Sequence, residues 1–437
     1  MRDQRPDENR SIWVSESARG AMPARPALVG SKRVDVAIVG GGLTGVSTAW
    51  HLSQRRPDLG IALLEAGVLG QGASGRNGGQ VLHGINGVTP AGPEALRRIH
   101  AVTGAGIDLA EELSDRFAPG AFRRQGCLEI YTDERRAEAA AAHVALLRAA
   151  GIPADFVPAR ELGVRGARGA VLDPQAGRLN GYALLQAMRG VLVSEGVDVY
   201  EHSAVRRVQV GAEIACETDQ GEVRARALVL ATNAYTPSLG FFRSGILPLH
   251  SHVLATEPMD ETRWRAIGWG RWDGFTDDLD RIAYACRTPG GRLLFGGGGN
   301  PAYEYRFGGR VVSSESFGNR AGPFMRGVLT RYFPGVEKWP IAERWSGPLG
   351  ITLDRVCSMG VTGEHRNVYF ALGYSGHGVA LALLAGRVLA DLYEDHHEPW
   401  RDLPFYQKRL LPLPPEPLRW LGYQVYTRLT GRSPRRS

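Results

Sequence analysis

Val34-Asp35-Val36-Ala37-Ile38-Val39 runs straight into Gly40-Gly41-Gly42-Leu43-Thr44-Gly45, and these residues decide the fold. The first six form a short apolar strand. The glycines at 40, 42 and 45 have the spacing G-x-G-x-x-G. Residues 46–56 carry a helical pattern, and Ile61-Ala62-Leu63-Leu64 is a second strand ending at Glu65. Gly40 lets the chain turn tightly, Gly42 leaves room for a pyrophosphate against the backbone, and Gly45 lets helix and strand pack closely. The start of the helix offers free N–H groups and a partial positive charge. Glu65 stands 20 residues beyond Gly45, where an acid can hydrogen-bond a ribose hydroxyl. A plain glycine loop needs none of this context. The acid suits FAD or NAD and disfavours a cofactor with a 2′-phosphate.

A chain of 437 residues exceeds one ordinary core, so two domains are expected. The apolar fraction and the 57 glycines fit a globular α/β protein. The net charge of +7 is almost all arginine, with Lys32, Lys338 and Lys408 the only lysines. No arginine–aromatic repeat points to nucleic acid, and the charge reads as solvated surface. Cys127, Cys216, Cys286 and Cys357 are far apart and form no C-x-x-C, so no metal site is expected. They read as free thiols of a reducing cytoplasm. The N-terminus is polar through Asn9-Arg10 and has no signal-peptide core. The apolar run at 379–385 is too short to span a bilayer.

Residues 1–33 read as a polar arm, either anchored by Trp13 or disordered. After Glu65 comes Ala66, then a glycine-rich run, Gly72-Ala73-Ser74-Gly75-Arg76-Asn77-Gly78-Gly79-Gln80, suited to backbone lying against a flat or anionic ligand or to a mobile loop. Helices are expected at 93–116, from Asp133 to about 150, at 181–194 and at 316–333. Residues 127–131 and 197–200 read as strands, and 205–217 with 222–226 as a hairpin. Ala227-Leu228-Val229-Leu230 is a buried parallel strand running into Ala231-Thr232-Asn233-Ala234. Residues 241–345 hold short alternating segments and many aromatics, a mostly antiparallel sheet inserted into the α/β domain. Val368-Tyr369-Phe370-Ala371-Leu372 is another buried strand. It ends in Gly373-Tyr374-Ser375-Gly376-His377-Gly378 and a long apolar helix. That is a second strand, glycine turn and helix. The tail, 396–437, is basic and proline-containing. An amphipathic helix near 418–423 is expected to pack on the protein in preference to touching a membrane.

The fingerprint, the run GASGRNGGQ at 72–80, LATNAYTP at 230–237 and GYSGHGVAL at 373–381 resemble the FAD-dependent oxidoreductases of the D-amino-acid oxidase superfamily, in particular its gamma-glutamylputrescine oxidase branch. The resemblance covers residues 30–395 and favours FAD over NAD. It implies a Rossmann-like FAD domain formed by 34–100, 156–240 and 341–395, and an inserted α+β substrate domain formed by 101–155 and 241–340. It also implies oxidation of a C–N bond in an amine or amino acid. A hydride goes to flavin N5, the imine hydrolyses, and oxygen or a quinone reoxidises the flavin.

By resemblance, Gly40, Gly42, Leu43, Thr44 and Gly45 meet the pyrophosphate, Glu65 and Ala66 the ribose, and Val205 the adenine. Gly72, Ala73, Ser74, Arg76, Asn77, Gly78, Gly79 and Gln80 line the flavin side. Ala231, Thr232 and Asn233 sit near the phosphates and ribityl. Gly347, Gly373, Ser375, Gly376, His377, Gly378 and Val379 reach the isoalloxazine, where a helix start favours an anionic reduced ring. No cysteine falls near 345–350 and His83 lacks the context of a covalent histidine, so the FAD is expected to be non-covalent. No lysine can be placed over the ring.

His377, Tyr284, His252 and Trp345 are the candidate catalytic residues. His250 and His252 share a strand face by alternation. His377 is otherwise a cofactor contact, and the histidine pair otherwise a surface pair. A serine hydrolase motif fails at 72–76 and 373–377, where Arg76 and His377 replace the closing glycine. An FAD enzyme acting on C–O bonds and a non-catalytic flavoprotein are the alternatives.

Overall fold

The structure, a computed structural model, describes residues 7–8, 10–17, 23–267, 273–311 and 320–430. Its first sheet is built around Gly221–Leu230. Gly30–Val39 lies parallel along one edge of that strand. The other edge is shared: Ile214–Glu217 runs antiparallel along its first half, and Val368–Leu372 parallel along its second. Ile61–Leu64 and then Asp198–Tyr200 extend the parallel run beyond Gly30–Val39. Helices cover these strands, which is why they read as near-continuous Val, Ile, Leu and Ala.

Register makes the strand ends level. Val39 pairs with both Leu64 and Leu230, and Leu230 with Phe370. Gly40, Glu65, Ala231 and Gly373 therefore leave the sheet at one edge, where open α/β sheets bind ligands. Helices Leu43–Arg55 and Val379–Tyr393 pack against each other behind this edge. Ser47 Oγ donates to the Leu383 carbonyl at 2.6 Å, and Gly386 leaves room for Ser47.

The second sheet is mostly antiparallel, as expected. Ile341–Ile351, Leu247–Thr256, Leu293–Gly297, Ala283–Arg287 and Gly274–Asp277 run in that spatial order. It continues through Cys127–Tyr131, Gly169–Asp173 and Asp155–Pro158. Only two of its pairings are parallel among the described residues: Gly274–Asp277 with Cys127–Tyr131, and Asp7–Glu8 with Ile341–Ile351. The expected domain limits move accordingly. Helix Pro93–Phe117 buries Ile99, Ile107, Ala110 and Leu113 in the core of the first domain, so no break falls at 100. Asp155–Pro158, Gly169–Asp173 and Ile341–Ile351 belong to the second sheet. Strand pairing, a long-range property, sets these limits, and a change of composition along the chain does not report it.

Helix Ile12–Ser17 resolves the two readings of the arm. Trp13 is fully buried and donates from Nε1 to the Asn77 carbonyl at 2.8 Å. The helix expected over 316–333 is found as Ala321–Tyr332; residues 316–319 lie outside the described residues, as do Asn9 and 431–437. The tail helix Leu418–Thr430 packs on the second sheet's strand Tyr303–Tyr305. Tyr423 Oη donates to the Tyr303 carbonyl at 3.0 Å, and Tyr305 hydrogen-bonds Glu416. No described helix is long and apolar enough to cross a membrane.

Candidate active site

The first turn is held by its glycines. Gly40 has φ +111°, and a Cβ there would lie 2.7 Å from the Ala231 carbonyl oxygen. A Cβ on Gly45 would overlap the Gly40 carbonyl outright, which fixes the close packing of turn on helix. Gly42 caps the helix with no side chain of its own. Leu43 N–H instead finds Ser74 Oγ at 2.9 Å, and Leu43 and Thr44 are both buried. Glu65 closes the turn from the neighbouring strand. Its carboxylate accepts from Gly41 N at 2.7 Å in the first turn and from Gly67 N at 2.8 Å, just past Ala66. Burial pushes the Glu65 pKa up, and the two amides pull against it. Val205 lies beyond, half-buried in the cluster that contains Tyr200.

The second turn meets the first. Thr44 Oγ1 and Tyr374 Oη are 2.8 Å apart, both buried, and join the two helix starts directly. Burial pushes the Tyr374 phenol far above its ordinary range, so it stays neutral. Between the turns lie Ala231, Thr232 and Asn233. Asn233 has φ +40° and accepts from Gly373 N at 2.9 Å. Thr232 Oγ1 is paired with Thr236 at 2.8 Å. Ser375, buried with φ +51°, donates its N–H to the Gly350 carbonyl at 3.0 Å. Gly376, exposed, has nothing within 4 Å of where a Cβ would stand. Helix Val379–Tyr393 has no side-chain cap on Gly378, so its first N–H groups have no partner from the cap residue or from within the helix.

Loop 72–80 does two jobs. Ser74 belongs to the first turn, as described. Asn77 shapes the loop from within, donating to the Ser74 carbonyl at 2.9 Å and accepting from Gly79 N at 2.8 Å. The rest ties the loop to the second sheet. Arg76 donates to the Ser346 carbonyl at 3.1 Å, and Trp345 Nε1 to the Arg76 carbonyl at 2.9 Å. Gly347 lies close against Arg76 Cβ, and Gly78 against the Tyr284 ring. Gln80 donates to the carbonyls of Phe275 and Ala285 at 2.7 and 3.1 Å. Trp13 fills the space over Gly79. Gly72 and Ala73 carry the bend into the short helix Ala73–Gly75.

Of the catalytic candidates, Tyr284 and Trp345 share one apolar cluster with Trp13 and Tyr182, on the sheet face that meets the loop. Tyr284 Oη stands 3.3 Å from Ser251 Oγ, and burial raises its pKa to about 12. His252 does not join them. Its neighbour Val253 is in that cluster, so alternation turns His252 to the opposite face, with Leu254. There its Nε2 is 3.6 Å from Glu304. His250 and His252 do share a face, as expected, but it is the wrong one for the loop.

His377 Nε2 contacts the His83 carbonyl at 2.7 Å. The sequence marks His83 only as a histidine without the context of covalent attachment. In the fold its Nδ1 is 2.6 Å from Asp173 Oδ2, and its ring stacks on His100 at 3.9 Å. Burial alone would raise the Asp173 pKa, but the His83 bond and charge and the Gln175 amide hold it below its ordinary value. No local signal marks this pair, because Asp173 is 90 positions away. Asp391, Glu394 and His396 could share a cation, but Arg55 already pairs with both carboxylates.

Two helix starts with glycine at the cap, an acid at the ribose distance and glycines that admit close approach fit a dinucleotide with its phosphates between the turns. The family profile of FAD dependent oxidoreductases matches residues 35–392. The chain belongs to that family. This FAD dependent oxidoreductase is 28% identical to the gamma-glutamylputrescine oxidoreductase of Escherichia coli over 91% of its own length and 93% of the relative's. It is 27% identical to the glycine oxidase of Geobacillus kaustophilus, over 83% and 93%. Among solved structures, that glycine oxidase superposes with a TM-score of 0.71 at 23% identity, covering 87% of this chain and all of the other. L-amino acid deaminase from Proteus myxofaciens superposes with a TM-score of 0.70 at 17% identity, over 92% and 97%. Both likenesses confirm the two-domain α/β fold.

Proposed function

We propose that this oxidoreductase oxidises a carbon–nitrogen bond in a small amine or amino acid, releasing an imine that hydrolyses. One observation carries the reading: the Thr44–Tyr374 contact joins both glycine turns at one sheet edge, so a single dinucleotide spans them. The relatives add the chemistry, since gamma-glutamylputrescine, glycine and sarcosine appear in the names of proteins to which the chain is similar. FAD supplies the hydride acceptor. Gly40, Gly42 and Gly45 hold its pyrophosphate, Glu65 its ribose, and Gly376, His377, Gly378 and Val379 its ring edge. Tyr284 and Trp345 cover the loop that bears on the ring, and His377 is positioned by the His83 carbonyl.

The FAD is held without a covalent bond: all four cysteines are buried, and His83 Nδ1 is engaged by Asp173. The four unpaired thiols suit the cytoplasm. Oxygen or a quinone takes the electrons, and no nucleic acid takes part. The test is anaerobic bleaching of the bound flavin by polyamines, γ-glutamyl amines, sarcosine and D-amino acids. Bleaching by at least one is expected. Bleaching by none of them, with bleaching by a hydroxy acid, overturns the reading. Repeating the reaction in air separates oxygen from another acceptor.

A further inference from the structure

A second site lies away from the two turns. Strands Phe122–Arg124 and Gly177–Leu179 meet the edge of the second sheet at Asp273 and at Arg287-Thr288-Pro289. Between them is a cavity of about 370 Å³ whose lining includes Arg123, Arg124, Arg178, Arg287 and Asp273. Four guanidinium groups thus face one carboxylate.

Most of these charges are already answered. Arg124 pairs with Glu111 at 2.6 Å and Asp108 at 2.9 Å. Arg287 pairs with Glu261 and stacks over Trp264 at 4.9 Å. Arg123, largely exposed, reaches Asp273 only at 3.7 Å. Arg178 is different. It is 5% exposed, and its Nε and Nη1 have no hydrogen-bond partner. Glu16 is near enough to feel its charge; Thr288 Oγ1 and Gly290 N bond its Oε1, while its buried Oε2 has no hydrogen-bond partner and none to Arg178. The Gln125 amide oxygen beside the cavity is also without a partner. Buried guanidinium N–H groups without acceptors are costly to keep, and an anion in the cavity removes that cost.

We propose that this cavity binds a small carboxylate or phosphate anion, with Arg178 as its anchor and Arg123 as its outer contact. A planar guanidinium with free N–H groups matches either oxyanion. The site rests on these side chains alone and does not depend on which C–N bond the enzyme oxidises.

The probes are inorganic phosphate and succinate, titrated into FAD-loaded enzyme with Tm and calorimetric heat as readouts. Wild type is expected to bind at least one with a rise in Tm. Arg178→Gln is expected to bind at least tenfold more weakly. Without the anion, its Tm is expected to stay within a few degrees of wild type, because the lost Nε–H and Nη1–H groups have no acceptors. Should Arg178→Gln fail to fold, Arg123→Gln tests the same point, since that exposed side chain tolerates change and its loss is expected to weaken binding several-fold. Two kinetic arms sort the source of the anion. Phosphate competing with carboxylate-bearing amines but not with putrescine marks the substrate's own carboxylate as the ligand. Phosphate competing with neither marks a free anion. Wild type that binds neither probe, or Arg178→Gln and Arg123→Gln variants that bind as tightly as wild type, overturns the proposal.

Discussion

Replacing Gly42 by valine separates the fold from the cofactor. In the protein itself the new Cβ falls 2.8 Å from Ser74 Oγ, the atom that accepts from Leu43 N–H. Ser74 is short and can rotate away, so the structural loss is that one hydrogen bond, about 0.5–1.5 kcal/mol. The cofactor loses far more. The valine methyls occupy the space through which a pyrophosphate reaches the helix start. Two charge-assisted N–H bonds given up there cost about 3–6 kcal/mol, or roughly a hundredfold to ten-thousandfold in affinity. Gly42→Val should therefore purify folded, with a Tm within a few degrees of wild-type apoprotein, and almost colourless. Absorbance between the flavin bands and 280 nm, with the Tm scan, reads both quantities from one sample. A folded Gly42→Val protein carrying wild-type flavin would refute the assignment of the turn.

Other expectations follow from single contacts. Tyr374→Phe removes the bond between the turns at a net cost of about 0.5–1.5 kcal/mol, and FAD should dissociate up to roughly tenfold faster in a stopped-flow release assay. Trp13→Ala empties a fully buried site over Gly79, and unfolding in denaturant should show a loss of about 3–5 kcal/mol. His51 gives the acid limb of stability. Burial lowers its pKa to about 4, against the pull of the Ser47 carbonyl, with Arg55 and Arg387 lowering it further. The folded state thus resists a proton that the unfolded state accepts near 6.5, so stability is full above that pH and falls by up to roughly 3 kcal/mol as pH drops through 4. Melting curves of His51→Gln should lack this part of the slope.

The two strand–turn–helix units were legible because each is local: apolar strand, glycine spacing and helix lie within a few residues. Leu43–Arg55 and Val379–Tyr393 begin within three residues of where the sequence puts them. Their meeting was foreshadowed by the resemblance, but the Thr44–Tyr374 contact joins residues 330 positions apart and leaves no local trace. The same holds for His83 with Asp173. Strand periodicity showed that His250 and His252 share a face; it could not say which face meets the loop, since that depends on how Leu247–Thr256 packs between Ile341–Ile351 and Leu293–Gly297. Gln80 lines the flavin side only by resemblance; that its amide binds the carbonyls of Phe275 and Ala285, 195 and 205 positions away, left no local trace. Trp13 is an anchor because of a partner 64 positions away, the Asn77 carbonyl, which no local pattern marks.

The most direct measurement is the flavin content of the purified protein, by absorbance and by chromatography of the cofactor released on denaturation. One FAD per chain, released intact without proteolysis, is the result that two converging helix starts require. Protein without flavin bands, still colourless after incubation with free FAD, would contradict them.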